Sequence, residues 1–172
     1  MKVQAIGHNG KGRGSAFIMR MTRGDQSHAS LRFQLSEPEI ISIYGKTGLV
    51  LTPDHEIESI QFKGVHRQPF VPSDNQTWFD FDHTSDQAEA ILLAVLSKIG
   101  CKYDWSGIGG FVTRRDCENP DKWFCSELAD WGMLQGGIRS TWTPSFKLCP
   151  TEFFSSTIFR VSPESPIQIA GR

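Results

Sequence analysis

Ala88, Ile91, Leu92, Val95, Leu96 and Ile99 recur at intervals of three and four residues. Residues spaced this way line one side of a 3.6-residue turn, so the stretch is constrained to be a helix with a single apolar face. Thr84 and Gln87 occupy the first and fourth positions of a capping box, and Gly100 suits a left-handed C-terminal cap. The spacing therefore predicts a helix from Ser85 to about Ile99. It carries no reactive group, and its apolar face needs a second layer to cover it.

The remaining segments read mostly as strands. From His28 to Leu35, Ser30, Arg32 and Gln34 alternate with Ala29, Leu31, Phe33 and Leu35, the period-two signature of a half-buried strand with His28 on the polar side. Lys2–Ile6, Ala16–Met21, Glu39–Tyr44, Leu49–Leu51 and Ser156–Val161 are expected to be further strands, and Glu56–Phe62 a strand or short helix. Residues 66–83 are punctuated by Pro69, Pro72, Ser73, Asp74 and Asn75 and show little periodicity. A second helix is expected between Pro120 and Leu134, ended by Gly136-Gly137, and the tail from Pro163 is expected to fray. The class is α+β, a small antiparallel sheet packed against helices. At 172 residues the chain is expected to form one domain, 1–172.

Composition narrows the function classes. The net charge is -1, which gives no overall attraction to nucleic acid. A nucleic-acid module would need Lys11, Arg13, Lys63, Arg67, Arg114 and Arg115 gathered on one face, and none is expected. The longest apolar run, Ala90 to Leu96, is far short of a bilayer, so no stable membrane insertion is expected. His8, Asn9, Lys11 and Arg13 interrupt any leader-like apolar segment, which points to a cytoplasmic protein or one exported without a classical signal. Gly45-Lys46-Thr47 lacks the upstream glycine of a phosphate-binding loop, Ile40 standing in its place. Asp80, Asp82 and His83 lack evident further ligands, and Cys117 and Cys125 lack short zinc spacing. No metal or other cofactor is expected.

Four cysteines without a CxxC pair are too few for a disulfide scaffold. Cys125 is the best placed as a nucleophile, early in the second expected helix, where unpaired amides and the helix dipole favour a thiolate. That reading requires the helix to begin near Trp123 and not at Pro120. The ordinary alternative is an inert buried thiol. Among the histidines His28 has the most favourable context, beginning a strand beside a turn.

Five blocks, in order, resemble the permuted papain-like group of the NlpC/P60 superfamily, the YiiX/YebB-like enzymes. They are Arg23-Gly24-Asp25-Gln26-Ser27-His28-Ala29-Ser30, the segment Ile40 to Leu49, Tyr103-Asp104-Trp105, Trp123-Phe124-Cys125-Ser126-Glu127-Leu128, and Cys149-Pro150-Thr151-Glu152-Phe153-Phe154 with Phe159 and Val161 after it. Each is short; together they span about residues 20 to 161. The resemblance implies a permuted papain-like fold in which Cys125 is the nucleophile and His28 its base. It also implies a polar orienting residue on the next strand, commonly glutamate. Here that segment offers Ser42 and Tyr44, with Gln34 and Glu39 as nearby alternatives. The implied reaction is hydrolysis of an amide bond, in a cell-wall peptide or another amide or isopeptide, through a thioester, with Tyr103, Trp105, Trp123 and Trp131 as candidates to line the cleft. Lipid acyl transfer or thioester hydrolysis, and a non-catalytic binding role on the same fold, are the alternatives.

Overall fold

The computed structural model describes residues 1–10, 13–22, 24–105 and 121–167, with side chains from 15 to 20 only within the segment 13–22. Five strands, β1 (Lys2–His8), β2 (His28–Gln34), β3 (Asp54–Ile60), β4 (Gly64–Pro69) and β5 (Gln76–Asp80), join a short last strand, β8 (Arg160–Val161). They form one antiparallel sheet in the order β4-β3-β2-β1-β5-β8. Two further short strands, β6 (Lys102–Tyr103) and β7 (Lys122–Trp123), pair in parallel beside it. The helices are α1 (Arg13–Thr22), α2 (Glu37–Thr47), α3 (Ser85–Leu96), α4 (Cys125–Gln135) and a single turn, α5 (Pro150–Phe154). No helix among the described residues is long and apolar enough to cross a membrane.

Period-two alternation gives the sheet two unlike faces. On one face Val3, Ala5, Ala29, Leu31, Phe33, Ile57, Val65 and Phe79 join a core with Ile91, Leu92 and Val95 of α3 and Leu128, Ala129 and Met133 of α4. The other face is polar and largely buried as well. Arg32 grips the Asp54 carboxylate through Nε and Nη2, donates to Gln4 Oε1 at 2.9 Å, and lies 4.0 Å above the Phe70 ring and 4.6 Å above that of Trp78. Strand β2 is therefore buried on both sides, where half-burial was expected, because the polar face satisfies its own charges.

The helix over 85–99 is present with its Thr84–Gln87 capping box, but it ends at Leu96. Gly100 adopts the positive φ expected of it, four residues beyond the helix. Three expected strands fail. Ala16–Met21 lies in α1, and Leu49–Leu51 is irregular. Glu39–Tyr44 lies in α2, which is started by Glu39 accepting from the Ser36 amide and hydroxyl, with proline in its first turn, and stopped by Gly48 at φ 70°. Short apolar runs fit either period, and here the capping chemistry of Ser36 and Glu39 decides for helix. Glu56–Phe62 resolves into β3, and residues 66–83 contain most of β4 and all of β5. The last strand is only Arg160–Val161. Ser165 is buried and its hydroxyl accepts from the Trp78 amide at 3.0 Å, so the chain just past Pro163 is pinned. The expected helix start at Asn119-Pro120, Cys117, the glycine-rich stretch through Phe111, Lys11, Arg114, Arg115 and the Arg13 side chain lie outside the described residues.

Helix α3 crosses α4 closely at Gly132, where an added Cβ would stand 2.5 Å from Val95 Cγ1. Replacing glycine by alanine in a helix ordinarily stabilises by about 1 kcal/mol. At Gly132 the overpacking dominates, so Gly132→Ala is expected to destabilise by about 1–3 kcal/mol in urea unfolding. His55, facing the apolar side of β3, stacks on Phe33 with ring centroids 5.5 Å apart, and its Nδ1 meets Thr52 O at 3.2 Å. Its Nε2 is buried without a hydrogen-bond partner among the described residues, and burial is the main reason its pKa falls from 6.5 to about 4. The unfolded chain accordingly takes up this proton first. The associated stability is complete above pH 6.5 and is lost as the pH falls toward 4. Between pH 6.5 and 5 the loss is expected to be about 2 kcal/mol, and urea unfolding of His55→Phe at the two pH values should lack that difference.

Candidate functional site

Cys125 is the first residue of α4, not a second-turn residue, and it is 1% exposed. Phe124 before it is extended, at φ -83° and ψ 158°, and its amide donates to Glu127 Oε2 at 3.0 Å. The Cys125 amide forms no hydrogen bond among the described residues, as befits a first-turn N–H. The thiol sits with Ile18, Tyr103 and Phe124 in a small apolar cluster. Two anchors set the approach of the helix. Ser126 Oγ donates to Leu148 O, and Ser59 Oγ of β3 donates to Trp123 O at 2.6 Å.

His28 begins β2 and is in hydrogen-bond contact with the Cys125 sulfur. Its Nε2 lies 2.6 Å from Glu58 Oε2. A carboxylate only accepts, so Nε2 carries the proton and Nδ1 is left for the thiol. Burial alone would pull the His28 pKa down. The Cys125 sulfur, by charge and hydrogen bond, and then Glu58 outweigh that effect and hold the imidazole well above 6.5. Glu58 is itself placed by Gln68 Nε2, 2.9 Å from Oε1. Successive residues of β3 thus serve the two halves of the site from opposite faces: Glu58 holds the imidazole, and Ser59 holds the backbone leading into Cys125.

A second histidine-carboxylate pair lies beside the first. His8 is the cross-strand partner of His28, with ring centroids 5.0 Å apart. Its Nε2 is 3.0 Å from both Glu56 Oε1 and Ser30 Oγ. Burial would raise the Glu56 pKa, but the hydrogen bond and charge of His8, with Ser30, bring it to about 2. A cleft of about 360 Å³ opens against His28, lined by Ser15, Ile18, Ser27, Ile60, Gln61 and Tyr103. Burial, then the nearby Cys125 and Asp104, push the Tyr103 pKa up, so its hydroxyl stays protonated and able to donate.

The two leading sequence candidates, Cys125 and His28, are therefore brought together. The proposed orienting residues Ser42 and Tyr44 are not. Both stand on exposed positions of α2 and neither side chain forms a hydrogen bond among the described residues, because the segment expected to be the next strand is a helix. Gln34 lies at the far end of β2 from His28, and Glu39 caps α2. Trp105 is half-exposed, while Trp123 and Trp131 pack against each other as a tilted pair with ring centroids 4.8 Å apart and are not among the cleft residues. Glu58 was missed, although Asp54, Glu56 and Glu58 alternate with His55, Ile57 and Ser59 in the period of a strand. Of the other cysteines, Cys149 is buried and its pKa is pushed up to about 11, chiefly by burial, and Cys101 is a half-buried thiol. Asp80 accepts from Gln4 at 2.8 Å and Asp82 pairs with Arg160.

One group of residues has the donor set of a metal site. His8, His28 and Glu58 each offer a ligand atom, and these atoms all lie within 4.8 Å of one another. Two imidazoles and a carboxylate suit a divalent transition ion.

No family model matches the sequence, and no curated protein matches it. Among solved structures, the chain is similar to a crystal structure described as metalloprotein yiiX from Escherichia coli O157:H7, DUF1105. The TM-score is 0.59 at 15% identity, over 96% of this chain and 91% of that one. The chain therefore has a YiiX-like fold of mixed α and β structure, as its sequence resemblance implied.

If Glu58 holds the imidazole, Glu58→Gln removes the negative charge that favours its protonated form. Alkylation of Cys125 by iodoacetamide at pH 6, followed by mass spectrometry, is expected to slow about tenfold, the equivalent of one pKa unit. An unchanged rate that still depends on His28 would assign the orienting role to another group.

Proposed function

We propose that this protein is a cysteine hydrolase that cleaves an amide bond through a thioester on Cys125. The observation that carries the reading is the line of three groups, Cys125 at a helix start, His28 against it, and Glu58 at 2.6 Å on the far ring nitrogen. A nucleophile, a base and an orienting acid are the parts that acyl transfer to a thiol needs. The appearance of histidine before cysteine in the chain is read as a circular permutation of the papain-like plan, with residues 1–172 as one catalytic domain.

His28 Nδ1 takes the thiol proton and the sulfur attacks the substrate carbonyl carbon. The free Cys125 amide and the Tyr103 hydroxyl are the candidate donors to the resulting oxyanion. The C–N bond then breaks, and the imidazolium gives its proton to the departing amine. Water, deprotonated by His28, attacks the thioester, and the thiol is released with the free acid. Throughout, Glu58 accepts from Nε2–H, which keeps Nδ1 toward the sulfur and stabilises the imidazolium. The cleft of about 360 Å³ is at the small end of ligand sites and suits a single side chain or short acyl group beside the scissile bond.

The word metalloprotein describes the yiiX protein. On this chain the residues that would hold a divalent ion are His8, His28 and Glu58. Such an ion supplies positive charge at the imidazole and carboxylate when bound, and no step above runs through it.

Incubation with peptide amides, muropeptides and acyl esters, followed by rapid acid quench and mass spectrometry, is expected to reveal an acyl adduct on Cys125 with amide substrates. Cys125→Ala should form none, and His28→Ala should lower turnover by about 10²–10⁴-fold. Adducts from lipid or thioester substrates alone would move the reading to an acyltransferase or thioesterase. No adduct with any class, together with slow alkylation of Cys125 that ignores His28, would leave a binding role.

A further inference from the structure

We propose that His8, His28 and Glu58 form a site for a divalent transition ion of the zinc type, and that the ion, when bound, holds the Cys125 centre inactive. The proposal rests on the reading of His28 as the base of Cys125.

The donors are in place for an ion without rearrangement of the backbone. Their ligand atoms lie within 4.8 Å of one another, and His8 and His28 face each other across adjacent strands. A tetrahedral zinc with bonds of about 2.0–2.1 Å sets its ligands about 3.3 Å apart, so rotamer adjustments of roughly an ångström close the site. The surroundings also prepare one ligand. Glu56 is buried and its Oε1 lies 3.0 Å from His8 Nε2. It therefore holds the His8 proton on Nε2 and leaves the Nδ1 lone pair, which has no hydrogen bond among the described residues, to an ion. A carboxylate behind a ligand imidazole is the usual way in which a protein sets the tautomer of a zinc-bound histidine.

The inhibitory effect follows from the two nitrogens of His28. If the ion takes Nδ1, it occupies the lone pair that would receive the thiol proton. If it takes Nε2, it replaces the proton between Nε2 and Glu58 and the ring proton moves to Nδ1, so no lone pair faces Cys125. In either case a neutral metal-bound His28 has no basic nitrogen to offer the thiol. Metal occupancy and base function exclude each other.

The test uses the full chain freed of metal with EDTA and titrated with zinc chloride alone by calorimetry, with cobalt chloride as the spectroscopic probe. One zinc per chain is expected. Cys125→Ser should keep it, and His8→Ala should weaken it about tenfold or more. Cobalt should give ligand-field bands without a thiolate charge-transfer band. At a zinc concentration that just fills the wild-type site, Cys125 alkylation should slow by on the order of tenfold in the wild type and by clearly less in His8→Ala. Loss of zinc binding in Cys125→Ser, with His8→Ala unaffected, would overturn the proposal in favour of an ion held by the thiol. A thiolate charge-transfer band in the wild type would do the same and needs no variant, and His8→Gln replaces His8→Ala if the latter does not fold. Failure of the Cys125–His28 pair is read separately, as slow His28-independent alkylation in EDTA.

Discussion

The seating of α4 across β2 and β3 is the contact on which the site depends. It buries Leu128, Ala129 and Met133 against Leu31 and Ile57, and it brings the helix start to the end of β2 where His28 stands. Gly132 lets α3 lie close along the other side of α4, so the two helices cover the apolar face together. The short β6–β7 pair and the Ser59 bond to Trp123 then fix the approach of the chain to Cys125. A shift of the helix by one residue would turn the thiol away from the imidazole.

The sheet is unusual in being buried on both faces while only one is apolar. Gln4, Ser30, Arg32, Glu56 and Glu58 are all buried, and each has partners. In such surroundings an unpaired charge is strongly unfavourable, which accounts for the density of the network. The same network serves the candidate chemistry. Its members hold His28 and His8 by carboxylates in parallel fashion, so one imidazole faces a thiol and its neighbour lacks one. The base and the proposed metal ligands share a strand pair, and regulation by an ion would need no separate domain.

Much of this architecture could be read from the chain before folding. The helix starting at Ser85, the strand at His28 with its polar parity, the candidate pair Cys125 and His28, and the YiiX-like resemblance all rest on local spacing or short local blocks. Period and capping are local properties, dictated by backbone geometry over a turn or a pleat. The errors have local causes too. Glu39–Tyr44 satisfies a strand pattern, and the Ser36–Glu39 cap makes it a helix.

Glu58 and His8 belong to a different category. Each is an unremarkable residue in its own segment, 30 and 20 residues from His28 along the chain. Strand pairing brings them to it, His8 directly across from His28 and Glu58 on the other side, opposite Ser30 two residues along. The sequence by itself determined the capped helix from Ser85, the strands beginning at Lys2 and His28, and the candidate thiol and base. The tertiary structure decided which acid meets the imidazole and which histidine shares its neighbourhood. Register between distant strands is set by the packing of a whole face, and no local spacing contains it.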